Sequence, residues 1–484
     1  MTSTKFSPND ILGYHRIQAG TVPLNESNDT YRTGDALMAR LFHSLYDRYM
    51  ITASVRRDGY SAFGQKNPRA VFPAVALGWV FTEEKFAQSI TDWFDYGKLR
   101  LSWGENGNRD IGQYEALSDM VSGAHPYIDQ NGNIYITSQI YVNRMSNPNL
   151  KWERTASMNV GLDFSFLQNR ISGALEGYVS TTNDLLVDRA LPEIIGYNSV
   201  AANLGKLQNK GFEAMINATI ISNPKFGWNT SANFSLNRRK IVSLYGDMID
   251  IKDENGNVIG QREADDIKNK WFIGQDPDRI WDYERIGVWQ KEEAEEAKIY
   301  GLQPGDFKYK DQDGNGVMTD DDKIFQGYRT PRFNWTFRNE FIFYKDLSLS
   351  TMFYSHWGWY DTFNRAANVS NFPDRCTEYV QPYWTPENRI NDYARIGSKN
   401  TGNNYKQKSF IRWENITLSY SVPKTLVQKI SVQDMRLSLS VRNVALFSPY
   451  WNFWDPERRN SDTDNPNSME PTPRTYSLSI NFTL

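Results

Sequence analysis

The chain has 484 residues, of which 39% are hydrophobic and 14% are aromatic. Its 54 basic and 57 acidic residues leave a net charge of -3, so charge gives no argument for a nucleic-acid partner. No apolar run approaches the roughly 20 residues of a membrane-spanning helix, which excludes a helical membrane protein. The many aromatic rings argue against a disordered chain.

Cysteine and histidine are too scarce for most metal chemistry. The single cysteine, Cys376, excludes an internal disulfide framework and a cysteine-based metal cluster. The four histidines form no His-x-x-x-His pair, which argues against a zinc enzyme. Met1 is not followed by the basic and apolar stretches of a signal peptide. Either the protein stays inside the cell, or this chain is not the N-terminal part of its protein; the strand pattern below favours the second.

Apolar and polar residues alternate along much of the chain. The even positions from 158 to 166 are Met, Val, Leu, Phe and Phe, while the odd positions around them are polar or glycine. The same alternation recurs at 230–238, 435–442 and 475–484. Because successive side chains of a strand point to opposite faces, these segments are predicted to be strands with one apolar face.

This alternation predicts thirteen strands. Many reach the length of about 9–11 residues that a tilted membrane-spanning strand needs. A change of phase inside one of them indicates a β-bulge near Glu414 and Asn415. The predicted strands are 36–46, 49–58, 69–81, 96–104, 154–168, 170–181, 205–222, 226–239, 332–344, 347–358, 408–420, 433–445 and 475–484.

The connections between the predicted strands alternate between short and long. Outer-membrane barrels combine short periplasmic turns with long extracellular loops. We therefore assign residues 1–35 to an extracellular loop at the start of the chain and residues 36–484 to a partial barrel domain. The long extracellular loops are predicted at 105–153, 182–204, 240–331, 359–407 and 446–474.

A membrane barrel must also be closed, because a free strand edge in lipid leaves backbone groups without hydrogen bonds. Bacterial single-chain barrels have an even number of strands, so an odd count predicts further strands upstream of Met1. The predicted fold class is all-β: the C-terminal portion, about thirteen strands, of a 22-stranded antiparallel transmembrane β-barrel with long extracellular loops.

Several segments then match a known family. The match includes NPNLKWE at 147–153 and NLGKLQNKGFE at 203–213, and it runs in family order from about residue 40 to the end. On these segments the chain resembles the SusC/RagA family of TonB-dependent outer-membrane transporters. The other matching segments are 46–64, 72–79, 305–316, 415–420 and 473–476.

The resemblance carries expectations about fold, partners and function. It implies a 22-stranded barrel in the outer membrane of Bacteroidetes, with an N-terminal plug that this chain lacks. It implies a SusD-like lipoprotein that caps the extracellular mouth, and energy supplied by TonB–ExbB–ExbD through the missing N-terminal part. The cargo would be an oligosaccharide or a peptide, and outer-membrane lipid would surround the barrel.

An acidic segment in the loop at 240–331 has the spacing of a calcium-binding loop. Oxygen ligands stand at positions 1, 3, 5, 9 and 12 and a glycine at position 6, which allows a sharp turn. The alternative is an acidic turn in a solvated loop. We predict a structural Ca²⁺ site as the only cofactor, with ligands from Asp311, Asp313, Asn315, Thr319 and Asp322 and the backbone carbonyl of Val317.

Two aromatic groups lie at the predicted extracellular ends of strands. Such rings suit either the interfacial girdle of a barrel or contacts with the apolar faces of sugars in the mouth. For the group in the loop at 446–474 we favour a partner interface or a ligand vestibule. The candidate ligand or partner residues are Trp357, Trp359 and Tyr360 in the first group, and Tyr450, Trp451 and Trp454 in the second.

No catalytic motif accompanies these sites, so we predict that the chain is not an enzyme. A second interpretation is a soluble extracellular protein of β-sandwiches that binds or hydrolyses carbohydrate. It predicts that the apolar faces of the strands pack against each other in compact cores. It does not explain why the connections alternate in length.

Overall fold

The computed structural model describes residues 31–483 apart from 113, 192, 198, 254, 363–381, 399–403, 431 and 458–471. Cys376, Leu484 and parts of the predicted loops at 1–35, 359–407 and 446–474 lie outside the described residues.

Within the described residues, thirteen strands form one antiparallel sheet in which each strand pairs with the next along the chain. We call this sheet the wall. Its strands are β1 (Gly34–Leu45), β2 (Tyr49–Tyr60), β3 (Arg69–Val80), β4 (Phe94–Asn108), β5 (Glu153–Phe166), β6 (Ile171–Asn183), β7 (Lys206–Ser222), β8 (Phe226–Ser243), β9 (Phe333–Phe343), β10 (Leu347–Trp357), β11 (Phe410–Val422), β12 (Asp434–Phe447) and β13 (Thr475–Thr483).

Each predicted strand is confirmed within this described sheet. The largest differences are at the ends of β4 and β8, which continue to Asn108 and Ser243 although the alternation ends at 104 and 239. The sequence does not predict the extension of β4, because polar residues such as Glu105 and Asn106 end the alternation of apolar and polar residues. Their backbone nevertheless pairs with β5, because strand pairing depends on backbone groups and continues beyond the apolar stretch.

The predicted bulge in β11 is also confirmed. Met352 of β10 lies opposite Asn415, whereas the next residue, Phe353, lies opposite Trp413. Glu414 is therefore the extra residue. By absorbing one position, it keeps Trp413 and the later apolar residues of β11 on the same face of the wall.

The two ends of the wall differ as predicted. In the β1–β2 turn Tyr46 and Asp47 have φ values of 52° and 54°, and in the β9–β10 turn Tyr344 and Lys345 have φ values of 49° and 67°. This left-handed conformation is typical of tight hairpin turns, because it matches the twist of the paired strands. The long connections emerge at the opposite end.

Connections at both ends of the wall contain short helical segments, and the long connections also contain short strands that the alternation does not predict. No helix within the described residues is long and apolar enough to cross a membrane. The helical segments are Phe81–Glu83, Lys85–Ala87, Glu193–Ile195, Lys291–Glu293, Ala294–Ile299, Asp320–Asp322, Lys424–Val427 and Gln428–Ile430. The loop strands are Asp119–Ile128, Ile134–Met145, Leu186–Ala190 and Ser199–Asn203 in one sheet, and the pairs Met248–Lys252 with Val258–Glu263, Arg279–Tyr283 with Lys323–Tyr328, Arg285–Val288 with Phe307–Tyr309, and Tyr360–Thr362 with Tyr405–Gln407.

One face of the wall is apolar and exposed. On β12 and β13, Leu439 lies opposite Leu478 and Val441 opposite Tyr476. Leu439 is 52% exposed and Leu478 is 74% exposed, so nothing in the described chain covers this face. The other face of the same strands is polar, with Ser438 opposite a second serine. Exposed apolar area of this extent marks a surface that contacts lipid or a partner.

The buried hydrophobic clusters lie mainly in the long connections instead, and Phe72 of β3 joins the first of them. One cluster joins Phe63, Phe72, Leu150 and Trp152, with the rings of Phe63 and Trp152 stacked 4.7 Å apart. A second cluster lies within the connections after β8, β10 and β12. The soluble β-sandwich interpretation required the apolar strand faces to form these cores, and that interpretation is wrong because the faces are exposed.

Candidate functional site

The predicted calcium loop follows the strand Phe307–Tyr309 and ends in the helical turn Asp320–Asp322. Gly316 has a φ of 81°, which allows the sharp turn predicted at position 6. Asp322 is completely buried. Its carboxylate accepts hydrogen bonds from the backbone N–H of Gln312 at 2.8 Å and of Thr319 at 2.7 Å. The last residue of the motif thus closes the loop onto its first residues.

Three predicted acidic ligands converge. Asp311, Asp313 and Asp322 each offer a carboxylate oxygen, and these oxygens lie within 4.8 Å of one another. A hard cation such as Ca²⁺ prefers several oxygens at this kind of spacing. The structure therefore brings together the acidic part of the predicted ligand set.

The other predicted ligands have local hydrogen bonds. The Asn315 side-chain oxygen accepts the backbone N–H of Val317 at 2.7 Å. The Thr319 hydroxyl accepts the backbone N–H of Asp321 at 3.3 Å and caps the helical turn. These contacts hold the loop in the described conformation.

The Asp311 carboxylate is strongly biased towards its charged form. Hydrogen bonds from the backbone N–H groups of Gly316 at 2.8 Å and Gly314 at 2.7 Å, and from the Tyr300 hydroxyl at 3.1 Å, lower its pKa to about 2. Burial opposes this shift but does not reverse it. Asp311 is therefore an anion at any pH near neutrality, the state that a cation requires.

The two predicted aromatic groups meet at the extracellular end of the wall. The rings of Trp357 and Tyr450 approach edge to face with centroids 6.5 Å apart. The Lys408 ammonium lies 4.9 Å from the Trp359 ring and 5.0 Å from the Trp451 ring. The sequence predicted both groups but gave no reason to place them together.

Burial separates these aromatic residues by role. Trp451 is 2% exposed and packs with Val288, Phe307 and Trp384, so its ring supports the loops and has no surface for cargo or a partner. Trp454 packs against the same cluster with partial exposure. The remaining three residues are also partly buried: Trp357, Trp359 and Tyr360.

Tyr450 has a different environment. It is 53% exposed, and its ring is the most accessible among the six predicted aromatic residues. Of the six predicted residues, Tyr450 therefore fits a contact with cargo or a partner best.

The sequence did not indicate a buried ion cluster that forms around an arginine of β11. Arg412 of β11 is 1% exposed. Its guanidinium donates to the Asp455 carboxylate at 2.6 Å and to the Asn443 side-chain oxygen at 2.6 Å, and it lies 2.7 Å from Glu457. Asn443 in turn donates to the backbone carbonyl of Thr472 at 2.6 Å.

This cluster fixes the last long connection at both ends. Asp455 and Glu457 belong to the outgoing part of the β12–β13 connection, and Thr472 belongs to the returning part. In the sequence, Arg412 is one arginine among the polar residues of an alternating strand, and nothing marks it as buried or ion-paired. The hydrogen bonds from Arg412 to Asp455 and Asn443, and from Asn443 to Thr472, show that both ends of the loop are tied to the wall.

The profile of the family described as "TonB dependent receptor-like, beta-barrel" matches residues 4–444. The chain belongs to this TonB-dependent receptor family. Membership confirms the predicted family and fold class, the outer-membrane location, and the prediction that the chain is not an enzyme. The predicted domain boundary at residue 36 stays a prediction.

Named relatives agree with this membership. TonB-dependent receptor P3 of Formosa agariphila is 30% identical over 97% of this chain and 48% of its own length. TonB-dependent receptor SusC of Bacteroides thetaiotaomicron is 30% identical over 90% of this chain and 43% of its own length. The chain therefore spans about half the length of the curated relatives that it matches.

A solved structure supports the fold. The RagAB peptide importer in the open-open state superposes with a TM-score of 0.72 at 23% identity, and the match covers 94% of this chain and 47% of that chain. The shared fold explains why the apolar face of this TonB-dependent receptor is exposed: it is the face that a barrel presents to outer-membrane lipid.

Proposed function

We propose that the protein to which this chain belongs imports oligosaccharides or peptides across the outer membrane. The observation that carries the proposal is the family match over residues 4–444 on a wall whose outer face is apolar and whose inner face is polar. A polar inner face suits a wide hydrated lumen, through which a polar cargo passes without losing its hydrogen bonds to water.

The proposed partners follow from the same family. A SusD-like lipoprotein would cap the mouth from the extracellular side, and TonB–ExbB–ExbD would supply energy through the part of the protein outside this chain. RagAB is described as a peptide transporter, which supports peptides as one cargo class. The resemblance to SusC/RagA transporters supports oligosaccharides as the other. Tyr450 is the residue that we propose as an aromatic contact for cargo or lipoprotein.

Deletion of the intact gene tests this function. We expect uptake of one labelled pool, either mixed oligosaccharides or mixed peptides, to fall to the background level, and a plasmid copy to restore it. The tagged full-length protein should purify from the outer membrane with a lipoprotein. Unchanged uptake of both pools in the deletion strain would refute the proposal.

We also propose that the loop from Asp311 to Asp322 binds one structural Ca²⁺. The three convergent carboxylates support it. The loop lies between the strands Phe307–Tyr309 and Lys323–Tyr328, which pair with other parts of the same long connection. A bound ion would therefore brace these two small sheets against each other.

Calorimetry on the full-length protein tests the calcium site. After removal of divalent ions, we expect one Ca²⁺ to bind with a Kd of about 10⁻³ M or tighter, the range of extracellular calcium modules. Asp311→Asn should weaken binding at least tenfold because it removes a charged ligand. Asp320→Asn is the matched control, since Asp320 lies in the same loop but pairs with Lys323 at 2.6 Å. Absence of heat at millimolar Ca²⁺ would exclude the site.

A further inference from the structure

Three basic side chains form a patch on the outer face of the wall, close to the end from which the long connections emerge. Lys210 of β7 lies directly opposite Arg238 of β8, and Lys240 follows Arg238 by two residues, so its side chain points to the same side of the sheet. The next outward-facing pair is Phe212 opposite Leu236, where the apolar surface begins. We call Lys210, Arg238 and Lys240 the basic patch.

The height of the basic patch can be compared with the thickness of the membrane. Phe226 begins β8 at the end with the short turns, and Arg238 follows it by twelve residues. With a rise of about 3.3 Å per residue and a strand tilt of about 40°, these residues span about 30 Å along the membrane normal. The apolar band of an outer-membrane barrel is about 25 Å tall. The basic patch therefore lies beyond the hydrocarbon, at the level of the lipid head groups of the outer leaflet.

The basic patch carries three positive charges on neighbouring positions. Within the described residues, none of its side chains forms an ion pair with a carboxylate. The Arg238 guanidinium donates hydrogen bonds to the backbone carbonyls of Asn237, at 2.9 Å, and of Arg332, which orient the group and leave its charge unneutralised. Like charges directly opposite each other on paired strands are destabilising. An anion bound between Lys210 and Arg238 would remove this repulsion.

Two other outward-facing arginines are neutralised within the wall. Arg69 of β3 lies 3.2 Å from Asp35 of β1, and Arg154 of β5 lies 3.9 Å from Glu105 of β4. A single cation without such a partner, such as Arg57 of β2, can extend its charged head to water. Extension to water does not explain why three charges of one sign stand together, so the basic patch fits an anion supplied by the membrane.

We propose that the basic patch binds the phosphate of a phosphorylated glycolipid in the outer leaflet, the lipid A part of lipopolysaccharide. Guanidinium and ammonium groups hold phosphate oxygens by charged hydrogen bonds. Each basic residue near an anionic lipid surface also adds to the attraction. The acyl chains of the same lipid would lie along Phe212 and Leu236, directly next to the basic patch. The inference requires only the outer-membrane location and does not depend on the transported cargo.

Native mass spectrometry on the full-length protein in a neutral detergent, with purified lipid A as the probe, tests the binding. We expect the wild-type protein to retain lipid A, and Lys210→Met combined with Lys240→Met to weaken its binding about tenfold or more, because two charges near the phosphate are lost. Arg69→Met combined with Arg154→Met is the matched control, because it removes two positive charges from the same face at ion pairs that the chain already completes. The control variant should bind lipid A as the wild type does. Dephosphorylated lipid A should bind the wild type as weakly as lipid A binds the double lysine variant.

Four results would overturn the proposal. Equal binding of lipid A by the wild type and the double lysine variant shows that the basic patch is not the site. Equal loss in the control variant shows that total charge, and not the basic patch, attracts the lipid. Equal binding of dephosphorylated lipid A shows that phosphate is not recognised, and displacement of lipid A by millimolar inorganic phosphate assigns the basic patch to the free anion. Heat-modifiable gel mobility verifies barrel folding in each variant.

Discussion

Replacing Leu439 with arginine is expected to destabilise the wall by about 2–4 kcal/mol if the position lies near the bilayer midplane. Leu439 stands on the apolar face of β12, between Leu418 of β11 and Leu478 of β13. An arginine there would place a charge among lipid chains with no partner. The free energy of unfolding in lipid vesicles, measured by urea titration, gives the size of the effect.

The neighbouring position supplies the matched control. Ser440→Arg introduces the same side chain one residue further along the strand, on the polar face between Thr417 and Ser477. The natural chain already has Arg442 on that face, so the change should cost less than about 1 kcal/mol. Equal destabilisation by the two variants would contradict the assignment of faces.

Replacing Arg412 with methionine should cost about 3–5 kcal/mol, because it leaves the carboxylate of Asp455 buried without its partner. The side chains of Arg412 and Asp455 are 2% and 6% exposed. The loss should be local at first: the β12–β13 connection should become sensitive to protease at a concentration that leaves the wild-type protein intact. Unfolding in urea then measures the overall cost.

Arg442→Met serves as the reference for Arg412→Met. Its side chain is 70% exposed and pairs with Glu414 at 2.9 Å, and exposed ion pairs are worth about 0–1 kcal/mol. If both variants lost the same small amount of stability, the buried cluster would not be the anchor of the loop.

The wall could be predicted from the sequence because successive side chains of each strand face two different environments in turn. Because one side of a strand such as β12 faces lipid and the other faces water, successive side chains must alternate between apolar and polar. This pattern can be recognised in the sequence before the order of the strands is known. The short strands of the long connections face no such constraint. Residues 119–128, for example, pair with a neighbour over a mixed sequence whose pattern marks no strand.

The candidate site was predictable only where its residues are local in sequence. The predicted ligands lie within twelve residues of one another in the sequence, so the spacing alone could predict that the carboxylates of Asp311 and Asp322 converge. Trp451 could not be separated from Tyr450, because the residues that bury it lie in two other connections.

The central claim is that lipid contacts one face of each strand of the wall and that the lumen contacts the other. This assignment can be measured with spin labels placed singly at residues 435 to 442 of the full-length protein, in lipid vesicles and in a cysteine-free background that includes Cys376→Ser. We expect labels at 435, 437, 439 and 441 to collide with oxygen dissolved in lipid, and labels at 436, 438, 440 and 442 to collide with a water-soluble nickel chelate. Odd positions that are protected from both reagents, as in the dry interior of a sandwich, would contradict it.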